Sequence, residues 1–213
     1  MNKEKEIKVI KPPNIGWIEY KLNNQEMDYV WRCIENKKEF IKETLVGHIS
    51  SSYKLMDRGD WFWINTIQPL VTNYNKSFNS NLGSNVPITN HHPYRMSSWW
   101  VNYQKKNEFN PIHDHNGVYS FVIWMKIPTD WKKQNINPLA ATANTSCISS
   151  FQFTYHNILG HLLPYYYKLS TQDEGTMVLF TSKLPHQVYP FYECDEERIS
   201  VSGNVLLNTD VKS

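Results

Sequence analysis

The stretch Trp99–Pro128, WWVNYQKKNEFNPIHDHNGVYSFVIWMKIP, reads as an apolar strand, a polar turn, a histidine pair, an Asn116-Gly117 bend and a second apolar strand. Side chains of an extended backbone alternate sides, so His113 and His115 share one face and Asp114 takes the other. Two imidazoles on one face at a strand end make half of a metal site. A first-row metal held by two ligands would be lost to water and buffer, so the remaining ligand is expected from elsewhere in the chain.

The downstream candidate is His186. From Glu174 to Val188 a turn launches a short apolar strand, a small polar loop follows, and His186 opens the next strand. Beyond it, Glu197 to Val205 alternates strictly, with Arg198, Ser200, Ser202 and Asn204 on one face and Ile199, Val201 and Val205 on the other. An Arg-x-Ser pair this close to a metal-type histidine suggests a carboxylate pocket. A planar guanidinium takes a carboxylate through two parallel hydrogen bonds, and a hydroxyl two residues along adds a third. The plainer alternative for Arg198 is a rim ion pair with Glu196 or Asp195.

Working outward, the chain from Met96 is strand after strand: Trp99–Tyr103, Val118–Ile127, Cys147–Tyr155, Leu163–Leu169, Thr176–Phe180, Gln187–Phe191 and Arg198–Leu206. Short strands at regular spacing predict a mainly β core with flanking helices, a sandwich or cupin-like jelly roll. Residues 1–94 read as a flank packing on a core of residues 95–213, one structural domain overall. In the flank, Gly16–Leu22 alternates as a strand, and Asn23 with Glu26 forms a capping-box signature. The helix it starts carries an apolar stripe of Met27, Val30, Trp31 and Ile34 and is expected to reach Phe40 or Leu45. Gly47–Asp60 reads as a polar connection. A second helical segment starts at Trp61, with Pro69 interrupting or kinking it and Phe78 near its end. Asn79–Pro93 and Thr129–Thr145 read as loops, the latter over the barrel mouth and both expected to line the pocket.

A chain of 213 residues can bury a sizeable core, and a net charge of +2 gives no electrostatic case for nucleic acid or an anionic membrane. Aromatics at 14% speak against disorder and for a β-rich core. Three cysteines, Cys33, Cys147 and Cys194, lack a redox or metal spacing and read as reduced thiols in a cytoplasm. No run is long and apolar enough to cross a bilayer, and the start reads as no signal peptide. His91-His92, His48, His156 and His161 read as loop, turn or strand-end residues rather than ligands.

At His113, His186 and Arg198 the chain resembles the iron(II) and 2-oxoglutarate dependent oxygenases, the superfamily that includes prolyl hydroxylases. The resemblance covers about Trp99 to Asn208, and the whole length is similar to oxygenases encoded by phages of aquatic bacteria. It implies a double-stranded β-helix and iron(II), with 2-oxoglutarate and dioxygen as cosubstrates. It also implies hydroxylation of a small molecule or protein side chain, with release of succinate and carbon dioxide. By the same resemblance His113 and His186 are metal ligands, Arg198 with Ser200 anchors the far carboxylate of 2-oxoglutarate, and Tyr103 or Asn102 adds a polar contact.

The chain departs from that pattern in one place: His115 stands where the superfamily's carboxylate stands. Three readings follow. His115 binds and the site is three neutral imidazoles; Asp114 binds through a bulge; or two protein ligands remain. Parity along the strand favours His115. Two rival functions are a cupin-like three-histidine metalloenzyme that does not use 2-oxoglutarate and a catalytically silent jelly-roll binding module.

Overall fold

The structure, a computed structural model, describes residues 7–12, 14–41, 45–78 and 92–210. Two antiparallel sheets face each other, with helices on the outer side of the larger one. The elements in chain order are β1 (Ile18–Lys21), α1 (Asn24–Glu35), β2 (Ser51–Lys54), α2 (Gln68–Ser77), β3 (Tyr94–Gln104), β4 (Asn110–His113) and β5 (Tyr119–Lys126). There follow α3 (Trp131–Asn135), α4 (Pro138–Ala141), β6 (Ser150–His156), β7 (Leu162–Lys168), β8 (Thr176–Thr181), β9 (His186–Val188) and β10 (Arg198–Leu207). The six-stranded sheet runs β1-β8-β5-β10-β3-β2 and the four-stranded sheet β4-β9-β6-β7.

The flank is woven into the larger sheet at both edges, since β1 pairs with β8 and β2 with β3. The capping box at Asn23 forms as expected, and Glu26 does more than cap. Its buried carboxylate accepts hydrogen bonds from the Asn23 N–H, the Tyr20 hydroxyl and the Thr66 hydroxyl. One side chain thereby joins β1, the start of α1 and the turn of π-helix Trp63–Ile67 that leads into α2. Helix α1 ends at Glu35, short of the expected Phe40, because Lys37 and Lys38 follow the apolar stripe and Asn36 caps the end. Pro69 sits in the first turn of α2, directly after the π-helix Trp63–Ile67 that leads into it, so the helical segment runs on through the proline and is not broken there. The expected connection Gly47–Asp60 contains strand β2, and Thr129–Thr145 contains α3 and α4. Of the expected loop Asn79–Pro93, residues 79–91 lie outside the described residues.

Two apolar clusters lie on opposite sides of the larger sheet. One packs Val101, Phe121, Met177 and Val201 against Val30, Phe62, Val71 and Tyr74 of the helical layer. There Gly203 is required, because an added Cβ would stand 2.4 Å from the Phe121 ring. The other cluster sits between the sheets and includes Val122, Trp124, Val178, Phe180, Phe151 and Phe153. Apolar side chains thus fill the β5–β8 side of the sandwich. Its β10–β3 side presents Arg198, Ser200, Ser202, Asn204, Asn102 and Gln104 to a cavity of about 440 Å3.

Candidate metal centre

Strand β4 ends in His113 and β9 begins with His186, and the antiparallel pairing sets these two residues opposite each other. The chain then turns away through Asp114, and His115 comes back to the same side, its N–H donating to the Ser182 carbonyl at 2.8 Å. The Asn116-Gly117 bend follows, with Gly117 at φ +121, a conformation that costs other residues more. One nitrogen from each of His113, His115 and His186 lies within 4.8 Å of the others, and the Nε2 atoms of His115 and His186 are 3.1 Å apart. A metal about 2.1 Å from each nitrogen spaces adjacent ligands by about 3 Å, so the cluster fits a first-row ion.

Backbone carbonyls orient two of the rings. His113 Nδ1 lies 2.7 Å from the Pro111 carbonyl and His186 Nδ1 lies 2.9 Å from the Leu184 carbonyl. With Nδ1–H donating there, each Nε2 keeps its lone pair for a metal. His186 is 4% exposed and packs against Phe151 and Phe180, while His115 meets the edge of Trp100. Burial holds all three imidazoles below the ordinary histidine range. His115 falls to about 4, the neighbouring His113 adding to the effect, and His186 lies well below its usual value. The rings are therefore neutral near pH 7, the form that ligates. Asp114 faces out to the rim, where its carboxylate pairs with Lys183 at 3.4 Å.

Arg198 lies at the other end of the cavity and is 2% exposed. Its Nη2 donates to the carbonyl and the hydroxyl oxygen of Ser149, its Nη1 reaches Gln104 Oε1 at 3.4 Å, and the Phe191 ring lies beneath the guanidinium. Nε has no partner. No carboxylate touches the group among the described residues, and desolvation lowers its pKa to about 10. The two acids that offered a rim pair are engaged elsewhere, Glu196 with Lys126 and Asp195 with Lys106. A buried cation without a counter-charge is expensive unless an anion arrives.

Residues 98–204 match the family model described as "Putative 2OG-Fe(II) oxygenase". The chain belongs to this family. No curated protein matches it. Among solved structures it is similar to an oxidoreductase of the 2OG-Fe(II) oxygenase family from Burkholderia pseudomallei, with TM-score 0.56 and 11% identity over 90% of this chain and 85% of that one. It is also similar to a prolyl-4-hydroxylase from Pseudomonas putida, with TM-score 0.55 and 14% identity over 91% of this chain and 94% of that one. These two likenesses establish the jelly-roll fold.

The protein is thus an iron(II) and 2-oxoglutarate dependent oxygenase, and dioxygen is its oxidant. Family membership sets aside the rival readings, the cupin-like enzyme and the silent binding module. In this oxygenase Asn102 and Ser200 line the cavity side by side in the β3–β10 register. Tyr103 does not, and the expectation that it could touch 2-oxoglutarate is corrected. Alternation along β3 sends its ring to the opposite face, against Tyr53 and beneath Lys37. The expectation that Thr129–Thr145 lines the pocket is likewise corrected. Beyond the sheets, that wall comes from Ile41, Leu45, Val46, Gly47 and Ile49, between α1 and β2. Ser149 and Gln104 beside the guanidinium had no sequence signal, because they lie 49 and 94 residues from Arg198 along the chain. Phe191 is close in the chain, but nothing in its neighbours marks it as the ring beneath the cation.

Proposed function

We propose that this oxygenase hydroxylates a C–H bond of a small molecule or a protein side chain. In this reading His113, His115 and His186 hold the iron, and Arg198 pairs with the distal carboxylate of 2-oxoglutarate. The metal with its cosubstrates supplies the oxidising power: 2-oxoglutarate is oxidatively decarboxylated to succinate and carbon dioxide, one oxygen atom entering succinate and the other the substrate. The chain's own residues position and enclose. The observation that carries the proposal is a fully buried guanidinium, without an acid partner among the described residues and with an unpartnered Nε, in the same cavity as three neutral imidazoles.

Charge supports the assignment. A divalent ion and Arg198 bring three positive charges into a cavity where Asp114, the one acid that lines it among the described residues, pairs with Lys183 at the rim. A dianionic 2-oxo acid offsets two of them, in the role a carboxylate ligand would otherwise share. Ser200 lies two residues along β10 from Arg198 and would add a hydroxyl contact. Asn102 accepts from the Ser52 hydroxyl at 2.7 Å, which leaves its amide N–H groups for the cosubstrate.

Ser202 pairs with Trp100, the residue that meets His115, so the metal is level with it. Arg198 stands four residues away along β10, about 13 Å. The far side, with Asn204, Ser98 and Asn116, is left for substrate. The setting we assign is a cytoplasm, the host's if the chain is phage-encoded, where the three free thiols stay reduced. No helix among the described residues is long and apolar enough to cross a membrane.

Anaerobic addition of 2-oxoglutarate to the iron(II) protein tests the proposal. A bidentate 2-oxo acid on iron(II) produces a visible charge-transfer band, expected in the wild type and lost on Arg198→Leu at the same concentration. An undiminished band in that variant would refute the anchor assignment.

A further inference from the structure

Ser149 presents two oxygens to one nitrogen. Its carbonyl accepts from Arg198 Nη2 at 3.2 Å and its hydroxyl accepts from the same atom. The residue is fully buried and adopts φ +63, the left-handed conformation that glycine takes freely and most L-residues avoid. Such backbone strain costs of order 1–3 kcal/mol and persists where the surrounding structure over-determines it. Here the turn is what brings carbonyl and hydroxyl of one residue to the same side. The Ser149 N–H donates to the Pro190 carbonyl at 2.9 Å, and the hydroxyl lies 3.1 Å from Thr129 Oγ1, which can take its proton. Gln104 is held in a similar way. Its amide nitrogen donates to the Glu108 carbonyl at 2.7 Å, so that Oε1 is the atom turned to the guanidinium.

We infer that Ser149 is a positioning residue for the cosubstrate: it clamps one side of the Arg198 guanidinium, so that the group is ordered before the carboxylate arrives. The inference rests on Arg198 being the anchor. A guanidinium on a long side chain would otherwise have to be ordered during binding, and a donor set ordered beforehand avoids that cost. Every described group that contacts the cation is neutral, so the clamp holds the charge without satisfying it. An acid in place of Ser149 would compete with 2-oxoglutarate, whereas a hydroxyl does not.

Glycine tolerates the backbone conformation and lacks the hydroxyl, which makes the test clean. The full-length iron(II) protein is titrated anaerobically with 2-oxoglutarate in the wild type, Ser149→Gly, Ser149→Ala and Arg198→Leu, reading the charge-transfer band. The same proteins are titrated with 2-oxobutyrate, which has the chelating end but no distal carboxylate. Both Ser149 variants are expected to weaken 2-oxoglutarate about tenfold, the scale of one hydrogen bond to a charged group, and to leave 2-oxobutyrate unchanged. Ser149→Gly is expected to melt no lower than the wild type, so the loss is not one of folding. Wild-type affinity in Ser149→Gly beside lost affinity in Arg198→Leu overturns the positioning role and leaves the anchor standing. An equal loss for 2-oxobutyrate also overturns it, and wild-type affinity in Arg198→Leu overturns both assignments.

Discussion

His113 stands opposite His186 in the β4–β9 pair, their ring centroids 4.3 Å apart, and each donates from Nδ1 to the carbonyl two residues before it. The two histidines hold their rings by the same device from opposite strands. His115 closes the set from beyond the end of β4, fixed by its backbone and by Trp100. Replacing it is therefore expected to remove a ligand without disturbing the pair. His115→Ala should weaken iron(II) binding by more than about 100-fold, beyond the loss typical of a group that merely supports a ligand. Asp114→Ala, which removes only the rim pair with Lys183, should bind as the wild type does. Metal stoichiometry after gel filtration distinguishes the two, and a loss confined to Asp114→Ala would reverse the assignment.

Arg198→Leu should separate binding from stability. Without cosubstrate the wild type keeps an uncompensated buried charge, so an apolar side chain in its place, although shorter, is expected to leave the melting temperature equal or higher. The wild type should gain thermal stability on adding 2-oxoglutarate with a redox-inert divalent ion, and the variant should not. Thermal unfolding with and without the cosubstrate reads both effects.

Burial raises the Cys33 thiol to about 11, with Asp57 adding to the effect. A thiol whose folded pKa lies above its unfolded value of about 9 contributes stability that is complete below pH 9. That contribution is lost as pH rises from 9 to 11. Denaturation midpoints should therefore fall across that window and fall less in Cys33→Ala. Alkylation of the native protein at pH 8 should label the half-buried Cys147 and Cys194 before Cys33, as peptide mapping would show.

Glu26→Ala should destabilise the fold by about 2–4 kcal/mol, since it leaves the Thr66 hydroxyl, the Tyr20 hydroxyl and the Asn23 N–H without their acceptor. Chemical denaturation measures it. The loss should appear in the midpoint with iron affinity unchanged, because Glu26 belongs to the helical layer and not to the cavity.

Much of the site is legible in the chain because it is built on strand parity. His113 and His115 fall on one side, Asp114 on the other, and Arg198, Ser200, Ser202 and Asn204 on one face of β10, as period two requires. The same rule, applied to β3, separates Asn102 from Tyr103. It yields the right answer only once it is known which face meets the second sheet, since both residues are polar enough for a site. The short β2 was hidden because Ser51-Ser52-Tyr53-Lys54 has little apolar content. It is held by its partner β3 and not by its own propensity.

The sequence by itself determined the alternation along each strand, the capped start of α1 and the order histidine pair, distal histidine, arginine, because these are properties of neighbouring residues. Only the tertiary structure decided that His186 faces His113, that Arg198 has no acid beside it among the described residues, and that a left-handed Ser149 holds the guanidinium. Those facts depend on the register between strands far apart in the chain and on one backbone turn. Register is set by the packing of the whole sandwich and leaves no local mark.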